Sequence, residues 1–322
     1  MNLRPSVLGI AVLWCCLLAL GCQSRDSRTV AVIPETTGNV MWEAAHAGAE
    51  AAAGETGLRV YWNAPTREDD VERQITLVEK VIEDKDAGLV LAPTQYLALV
   101  GPVREALSAH IPTVVIRSSL PIPSGQGLSY ILNNENEMGR IAAMRIGKIL
   151  HGRGEVAILG LDPDITGVII RSRAFESALA ANFPPIAIVE RPISSSNAAE
   201  FQQVAQETIS SHPGLGAILA LNVAAAERSW AALSASGKTS AIRLVACGQE
   251  MDLMARIRSG SLDSVIVENT YEMGSRAVRL IAARRRGQAV PDRIELPPVL
   301  VDQTNIDRPE IQQMLSMDWR PH

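Results

Sequence analysis

Residues 29–53 read TVAVIPETTGNVMWEAAHAGAEAAA, and the change of pattern inside that stretch decides the fold. Thr29–Ile33 is a short β-branched run, the signature of a strand buried on both faces. The loop over 34–41 follows, and Val40–Glu55 is dense in alanine, the strongest helix former. Strand, loop and helix in that order make half of a βαβ unit. The same order returns downstream. Leu58–Trp62 (LRVYW) predicts a strand. Residues 67–84 set Val71, Ile75, Val78 and Ile82 at i, i+4, i+7 and i+11 among acids and Lys80, one apolar stripe on a solvated helix. Gly88–Ala92 predicts a strand, 97–109 a helix, and Thr113–Ile116 a strand behind Pro112.

The second half repeats the scheme. Strands are expected at 129–132, 155–160, 186–191, 215–220, 242–246 and 263–268. Helices are expected at 135–150, 168–182, 198–211, 223–236, 249–259 and 271–286. Such alternation predicts an α/β protein with parallel sheets covered by helices on both faces. No low-complexity linker separates the halves, so they read as two lobes joined by strand-like crossings. Pro297-Pro298 and the polar tail 302–322 are expected to mark the end of the second sheet. Ligands of open parallel sheets sit beyond the carboxyl ends of the strands. The loops 34–41, 117–127, 162–167, 247–250 and 269–271, together with Asn222, are therefore the places to look.

The amino terminus reads differently. Arg4 precedes an apolar run from Val7 to Leu20, too short for an ordinary spanning helix and suited to a signal-peptide core. It ends in Ala19-Leu20-Gly21-Cys22 and passes into the polar stretch 23–28. That pattern resembles a bacterial lipoprotein signal, which implies a signal peptide over 1–21, lipid on Cys22 and a tether over 22–28. An ordinary secretory signal or an uncleaved anchor is the alternative. Cys15 and Cys16 would leave with the signal, so only Cys247 would remain without lipid and no internal disulfide could form.

Composition narrows the function. Of 322 residues, 47% are apolar and 20% charged, with 30 Lys plus Arg against 35 Asp plus Glu. A mildly acidic chain without a basic tract predicts no nucleic-acid partner. The phosphate loop, the G-x-G-x-x-G turn, the G-x-S-x-G elbow and H-E-x-x-H are all absent from the sequence. The five histidines share no metal-ligand spacing, and His46 reads as a surface or satisfied side chain. Asp162-Pro163-Asp164 reads more readily as a turn than as an acid–base pair. Cys247 has no evident activator and reads as an inert buried thiol. Arg284-Arg285-Arg286 complements a helix end. No catalytic residue, cofactor or metal is expected.

The chain resembles the sugar-type periplasmic substrate-binding proteins, the ribose-binding-like group, from Thr29 to about Asn305. The opening stretch carries the likeness, with QITLVEKVIEDKDAGLVLAPT (74–94), IPTVVIRSS (111–119), NNENEMGRIAAMRIG (133–147), RSRAFESAL (171–179), SHPGLGAILALN (211–222), SASGK (234–238) and VENTYEMGSRAVRLI (267–281). Their order and spacing are specific to the group. The resemblance implies two Rossmann-like lobes joined by a three-strand hinge, the type I arrangement. It implies an N-terminal lobe of 29–131 plus 270–296 and a C-terminal lobe of 132–269 plus 297–322. It further implies a monomer that shuts over a small ligand and presents it to ABC permease subunits. A membrane sensor kinase or chemoreceptor is the alternative partner. A transcription regulator would need a DNA-binding helix pair where the signal segment stands.

The resemblance also implies a ligand-binding set. Asn39 falls where the group places a polar contact after the first strand. Trp42 falls at the second of two stacking aromatics, and Met41 replaces the first. Arg171, four residues before Phe175, matches an arginine at a helix start. Asn222 and Asn269 match amide contacts at the third C-lobe strand and the return crossing. Trp42 could instead pack in the core, and each of the others has an alternative as a cap or turn residue.

Two departures stand out. The group's Asp-Arg after the fourth strand is here Arg117-Ser118, and its Asp near 248 is here Gly248-Gln249. Loss of both carboxylates predicts an electropositive cleft around Arg117 and Arg171 and a sugar-like ligand that is anionic. The competing expectation pairs Arg117 with Glu43, Glu250 or Glu268, leaving the cleft near neutral.

Overall fold

The structure is a computed structural model and describes residues 28–37, 41–67, 69–163, 165–193, 198–316 and 318. Its first sheet holds β1 (Thr29–Ile33), β2 (Arg59–Trp62), β3 (Gly88–Leu91), β4 (Thr113–Arg117) and β5 (Leu128–Asn133), with β11 (Arg293–Leu296) at its edge. Its order is β11-β5-β4-β3-β1-β2, and every pairing is parallel. The second sheet holds β6 (Gly154–Leu159), β7 (Ile186–Glu190), β8 (Leu215–Ala220), β9 (Arg243–Cys247), β10 (Ser264–Val267) and β12 (Val299–Asp302). Its order is β12-β10-β9-β8-β6-β7, parallel except for the antiparallel β10–β12 pair. Each sheet therefore places its first strand between its second and third, the doubly wound arrangement that opens a crevice at the strand ends.

Helices cover both faces. They are α1 (Met41–Thr56), α2 (Val71–Asp84), α3 (Val100–Ser108), α4 (Glu135–Ile149), α5 (Thr166–Asn182), α6 (Ala198–Ser211), α7 (Val223–Ala235), α8 (Met251–Arg258), α9 (Thr270–Arg285) and α10 (Pro309–Met314). Alternate residues of each strand feed opposite cores. Val30 and Val32 pack with α1 and α9, whereas Ala31 and Ile33 pack with α2 and α3. The second sheet divides its side chains in the same way. Strands buried on both faces explain why their sequences run apolar without alternation.

The chain passes between the sheets three times: from β5 into α4, from β10 into α9, and from β11 to β12. The third passage corrects an expectation. Pro297-Pro298 does not end the second sheet but separates β11 in one sheet from β12 in the other. Proline donates no backbone N–H, so neither ladder continues through it. The tail then adds α10, whose Ile311 and Met314 are buried in the second lobe.

Close helix pairs hold each lobe. In the first, α1 and α9 touch backbone to backbone: a Cβ on Gly48 would lie 1.9 Å from the Tyr271 carbonyl oxygen, and one on Gly274 2.0 Å from that of Ala45. In the second, α4 meets α5 at Gly139, where a Cβ would lie 2.3 Å from the Arg171 carbonyl oxygen. The α2 stripe is turned slightly from expectation. Gln74, Leu77, Val78 and Val81 are its buried residues, and Val71, Ile75 and Ile82 flank them. Among the described residues no helix is long and apolar enough to cross a membrane.

Candidate functional site

The carboxyl ends of the two sheets carry a cluster of opposite charges. Arg117 is the last residue of β4, Glu35 lies two residues past β1, and Glu268 follows β10 in the other sheet. Arg117 donates through Nη1 to both Glu35 carboxylate oxygens at 2.8 Å and through Nε to Glu268 Oε2 at 3.3 Å. Glu135, the first residue of α4, accepts from Arg171 Nε and Nη2 at 2.9 and 2.7 Å. Arg171 Nη1 donates to the Leu221 carbonyl at 2.5 Å, and Nη2 lies 3.8 Å from Glu268 Oε1. Glu268 thus stands between both guanidiniums and links the lobes.

The geometry is built from the backbone upward. Arg117 adopts φ +68, a left-handed conformation disfavoured for a side-chain-bearing residue, which turns the chain sharply at the strand end. Such strain costs on the order of 1–3 kcal/mol and persists where surrounding contacts fix it. The loop bearing Glu35 is fixed by the wholly buried Gln74 of α2. Its Nε2 donates to the Pro34 and Ala92 carbonyls at 3.1 and 2.8 Å, while its Oε1 accepts from Thr94 N and Oγ1 at 2.9 and 3.0 Å. All four bonds of that amide are made, tying the loops after β1 and β3 together.

Electrostatics follow burial and pairing. Burial works against the Glu268 carboxylate, but Arg117 and then Arg171 outweigh it, so its pKa falls below the ordinary value. Burial raises Glu135, and Arg171 offsets this only in part. Glu35 first, with Glu268, holds Arg117 more firmly protonated than a free guanidinium, against its burial. Beneath Arg171, burial pushes the Cys247 thiol up to about 11.

The sequence-predicted residues divide. Arg117 and Arg171 come together around Glu268. Gln249 is 7% exposed, and its Oε1 meets no donor. Asn222 and Asn269 are helix caps: Asn222 Oδ1 accepts from Ala225 N at 2.8 Å, and Asn269 Oδ1 from Glu272 N at 3.0 Å. Asn222 Nδ2 also donates to the Gly160 carbonyl. Ser118 is exposed beside the Arg117 turn. Asn39 and Cys22 lie outside the described residues. At Asp162 the backbone carbonyl accepts from Ile165 N, a turn, and Asp164 lies outside the described residues.

The structure bears on two alternatives that the sequence left open. Met41 and Trp42 are 8% and 1% exposed and pack in the core with Ala45, Ile116 and Met273, so the indole offers no open face. The cleft is also not electropositive. Among the described residues three carboxylates surround two guanidiniums, and Arg117 pairs with Glu35 and Glu268. The acids missing beside Arg117 and at Gln249 come instead from the loops after β1 and β10 and from the start of α4. Glu268 is one of the three partners the sequence offered for Arg117. Glu35 and Glu135 were not among them, although each stands two residues past a strand's carboxyl end, the signal that could have found them.

Comparison with known proteins agrees with this architecture. The family model for the periplasmic binding protein domain matches residues 30–289. The D-apiose import binding protein of Actinobacillus succinogenes is 21% identical over 79% of this chain and 80% of its own length. The D-allose-binding periplasmic protein of Escherichia coli is 23% identical over 85% and 90%. Among solved structures, a sugar-binding protein of a sugar ABC transporter from Bacillus halodurans superposes with a TM-score of 0.82 at 21% identity, covering 87% of this chain and 99% of its own. A solute-binding protein from Agrobacterium vitis, bound to α-D-tagatopyranose, gives 0.76 at 24% identity, covering 89% and 98%. These relatives are binding proteins of transport systems, not enzymes.

Proposed function

The chain belongs to the periplasmic binding protein family, of the sugar type that serves ABC transporters, and from that premise we propose a lipid-anchored solute receptor that closes over one small sugar. The observation that carries the reading is the convergence of Arg117 and Arg171 on Glu268 across the gap between the sheets. Groups split between two lobes engage a ligand together only when the lobes are shut, so the ligand shifts the population towards the closed form. Planar guanidiniums and carboxylates in alternation suit vicinal hydroxyls, which both donate and accept. Cys22 would carry the lipid, and residues 22–28 would tether the lobes to the inner or outer membrane on the periplasmic side. Exposed apolar side chains stand beyond the strand ends of both lobes, Tyr96 and Leu97 on one and Ile165, Ile193 and Met251 on the other. They give a membrane permease a surface that senses lobe closure.

A thermal-shift screen of the mature chain against pentoses, hexoses, sugar acids and sugar phosphates tests the reading, because a ligand that binds only the native state raises its melting temperature. A rise with at least one sugar is expected, and no rise with any would defeat it. Labelled palmitate incorporated by the wild type and lost in Cys22→Ser is expected for the anchor. A pull-down with permease subunits separates an importer from a sensor kinase or chemoreceptor, which would use the same surface.

A further inference from the structure

The amino ends of the second sheet, opposite the end that carries Glu268, hold a polar recess. A cavity of about 480 Å³ opens there. Arg145, Lys148, Leu150 and His151 line it from the end of α4 and the turn that follows, Arg243 from the start of β9, and Asp263 from just before β10. That volume falls in the range of small-molecule sites and exceeds what a bare ion fills. Gly216, near the start of β8, completes the wall. A Cβ on it would lie 2.6 Å from Leu150 Cδ2, so the glycine leaves room for the leucine that gives the recess an apolar side.

The acids here are already engaged. Asp263 is the one carboxylate lining the cavity among the described residues. Its Oδ1 accepts from Arg145 Nε at 2.6 Å and from Ser264 Oγ at 2.9 Å, and its Oδ2 faces Arg243 Nε at 3.8 Å. Asp302 accepts from Arg145 Nη1 at 3.2 Å through Oδ2, and from Thr304 N and Oγ1 at 2.9 and 2.5 Å through Oδ1. The donors are not engaged. Among the described residues Lys148 Nζ and the terminal nitrogens of Arg243 meet no hydrogen-bond acceptor, and both residues are exposed. Lys148 also suits the last turn of α4 by its charge, but Arg243 reaches the same cavity from another element.

We propose that this recess is a second ligand site, separate from the interlobe cleft, for a small phosphate-bearing molecule. The phosphate oxygens accept from Lys148 Nζ and the Arg243 guanidinium, with the His151 ring beside them, and the body of the ligand lies along Leu150. A phosphate offers three terminal oxygens to donors arriving from separate elements, where a carboxylate offers two. The ligand is soluble rather than a lipid headgroup. The sheets face each other by their carboxyl ends, where Arg117 meets Glu268, so the recess lies at the outer pole of the second lobe. The chain enters β1 at the outer pole of the first lobe, and a membrane holding it through Cys22 would lie at that far end.

Titration calorimetry on the mature chain at low salt, with inorganic phosphate, glycerol 3-phosphate, D-glycerate and glycerol, is the test. Glycerol 3-phosphate is expected to bind about tenfold or more tightly than D-glycerate, glycerol to give no heat, and added salt to weaken the phosphates. Lys148→Gln combined with Arg243→Gln should weaken glycerol 3-phosphate about tenfold or more, with any response to sugars kept, since neither residue borders the cleft. If that double variant fails to fold, Lys148→Gln alone makes the same comparison. Silence from both phosphates, or an affinity unchanged in the variant, overturns the site and leaves the sugar-receptor reading standing. D-glycerate binding as tightly as glycerol 3-phosphate overturns the phosphate assignment. Phosphatidylglycerol vesicles bound over phosphatidylcholine vesicles, and lost in the variant, with no response to glycerol 3-phosphate, would overturn the soluble ligand in favour of a lipid surface.

Discussion

Arg117 at the end of β4 and Glu268 just past β10 meet across the gap between the sheets, Nε to Oε2 at 3.3 Å, although 151 residues separate them in the chain. The bond couples the lobes. In a double-mutant cycle, Arg117→Met and Glu268→Gln should each lower stability, and the double variant should cost less than the sum. Contacting groups in one network couple by roughly 0.5–3 kcal/mol. Urea denaturation reads the coupling; strict additivity would mean the pair acts independently.

Trp42 separates core packing from ligand stacking. Its indole is 1% exposed, and Nε1 meets no acceptor. Trp42→Ala should cost about 3–5 kcal/mol. Trp42→Phe removes the unpaired N–H and should cost much less, with sugar affinity within about threefold of wild type. Loss of affinity in Trp42→Phe at unchanged melting temperature would return the residue to the binding site.

Gly139 links packing to the site. A Cβ there would meet the Arg171 carbonyl oxygen at 2.3 Å and the Phe175 nitrogen at 2.7 Å. Gly139→Ala should therefore push α5 away from α4, costing about 1–3 kcal/mol, and weaken ligand binding by moving Arg171. Gly101→Ala is the control. Nothing lies within 4 Å of a Cβ on Gly101 in α3, so that change should stabilise by about 0.4–1 kcal/mol and leave binding intact.

His46 gives the first lobe a pH dependence. Its ring stacks on Trp62 with centroids 4.2 Å apart, and burial pulls its pKa from 6.5 down to about 4. The unfolded chain takes up a proton below about pH 6.5 that the folded chain refuses until about pH 4. Stability contributed by the neutral ring is therefore complete above that window and falls as pH drops through it, by at most about 1.4 kcal/mol per unit. Glu50 lies 3.6 Å from Nε2, and burial raises its own pKa. His46→Phe keeps the stack and should flatten the profile between pH 7 and 4.5; an unchanged slope would place the titration elsewhere.

Much of this was legible in the chain. The apolar runs at 29–33, 88–92 and 113–116 and the helical stripes between them encode strands and helices locally, and their alternation implies parallel sheets. The rule that ligands sit at strand carboxyl ends pointed to the loops holding Arg117 and Gln249, and the family resemblance pointed to Arg171. Gln74 escaped notice, since a polar residue on an amphipathic helix reads as solvated until the loops it ties are known. The strands β11 and β12 were hidden because RIEL and VLVD are short and flank two prolines.

The sequence by itself determined the two-lobed doubly wound architecture, because periodicity and residue propensity act over a few neighbours. Tertiary structure alone decided the charge of the cleft and the fate of Trp42. Glu35 reaches Arg117 over 82 positions, and Thr270 donates to the Met41 carbonyl over 229, closing α9 over the indole. Coulomb balance and burial depend on distance in space, which no local pattern of residues carries.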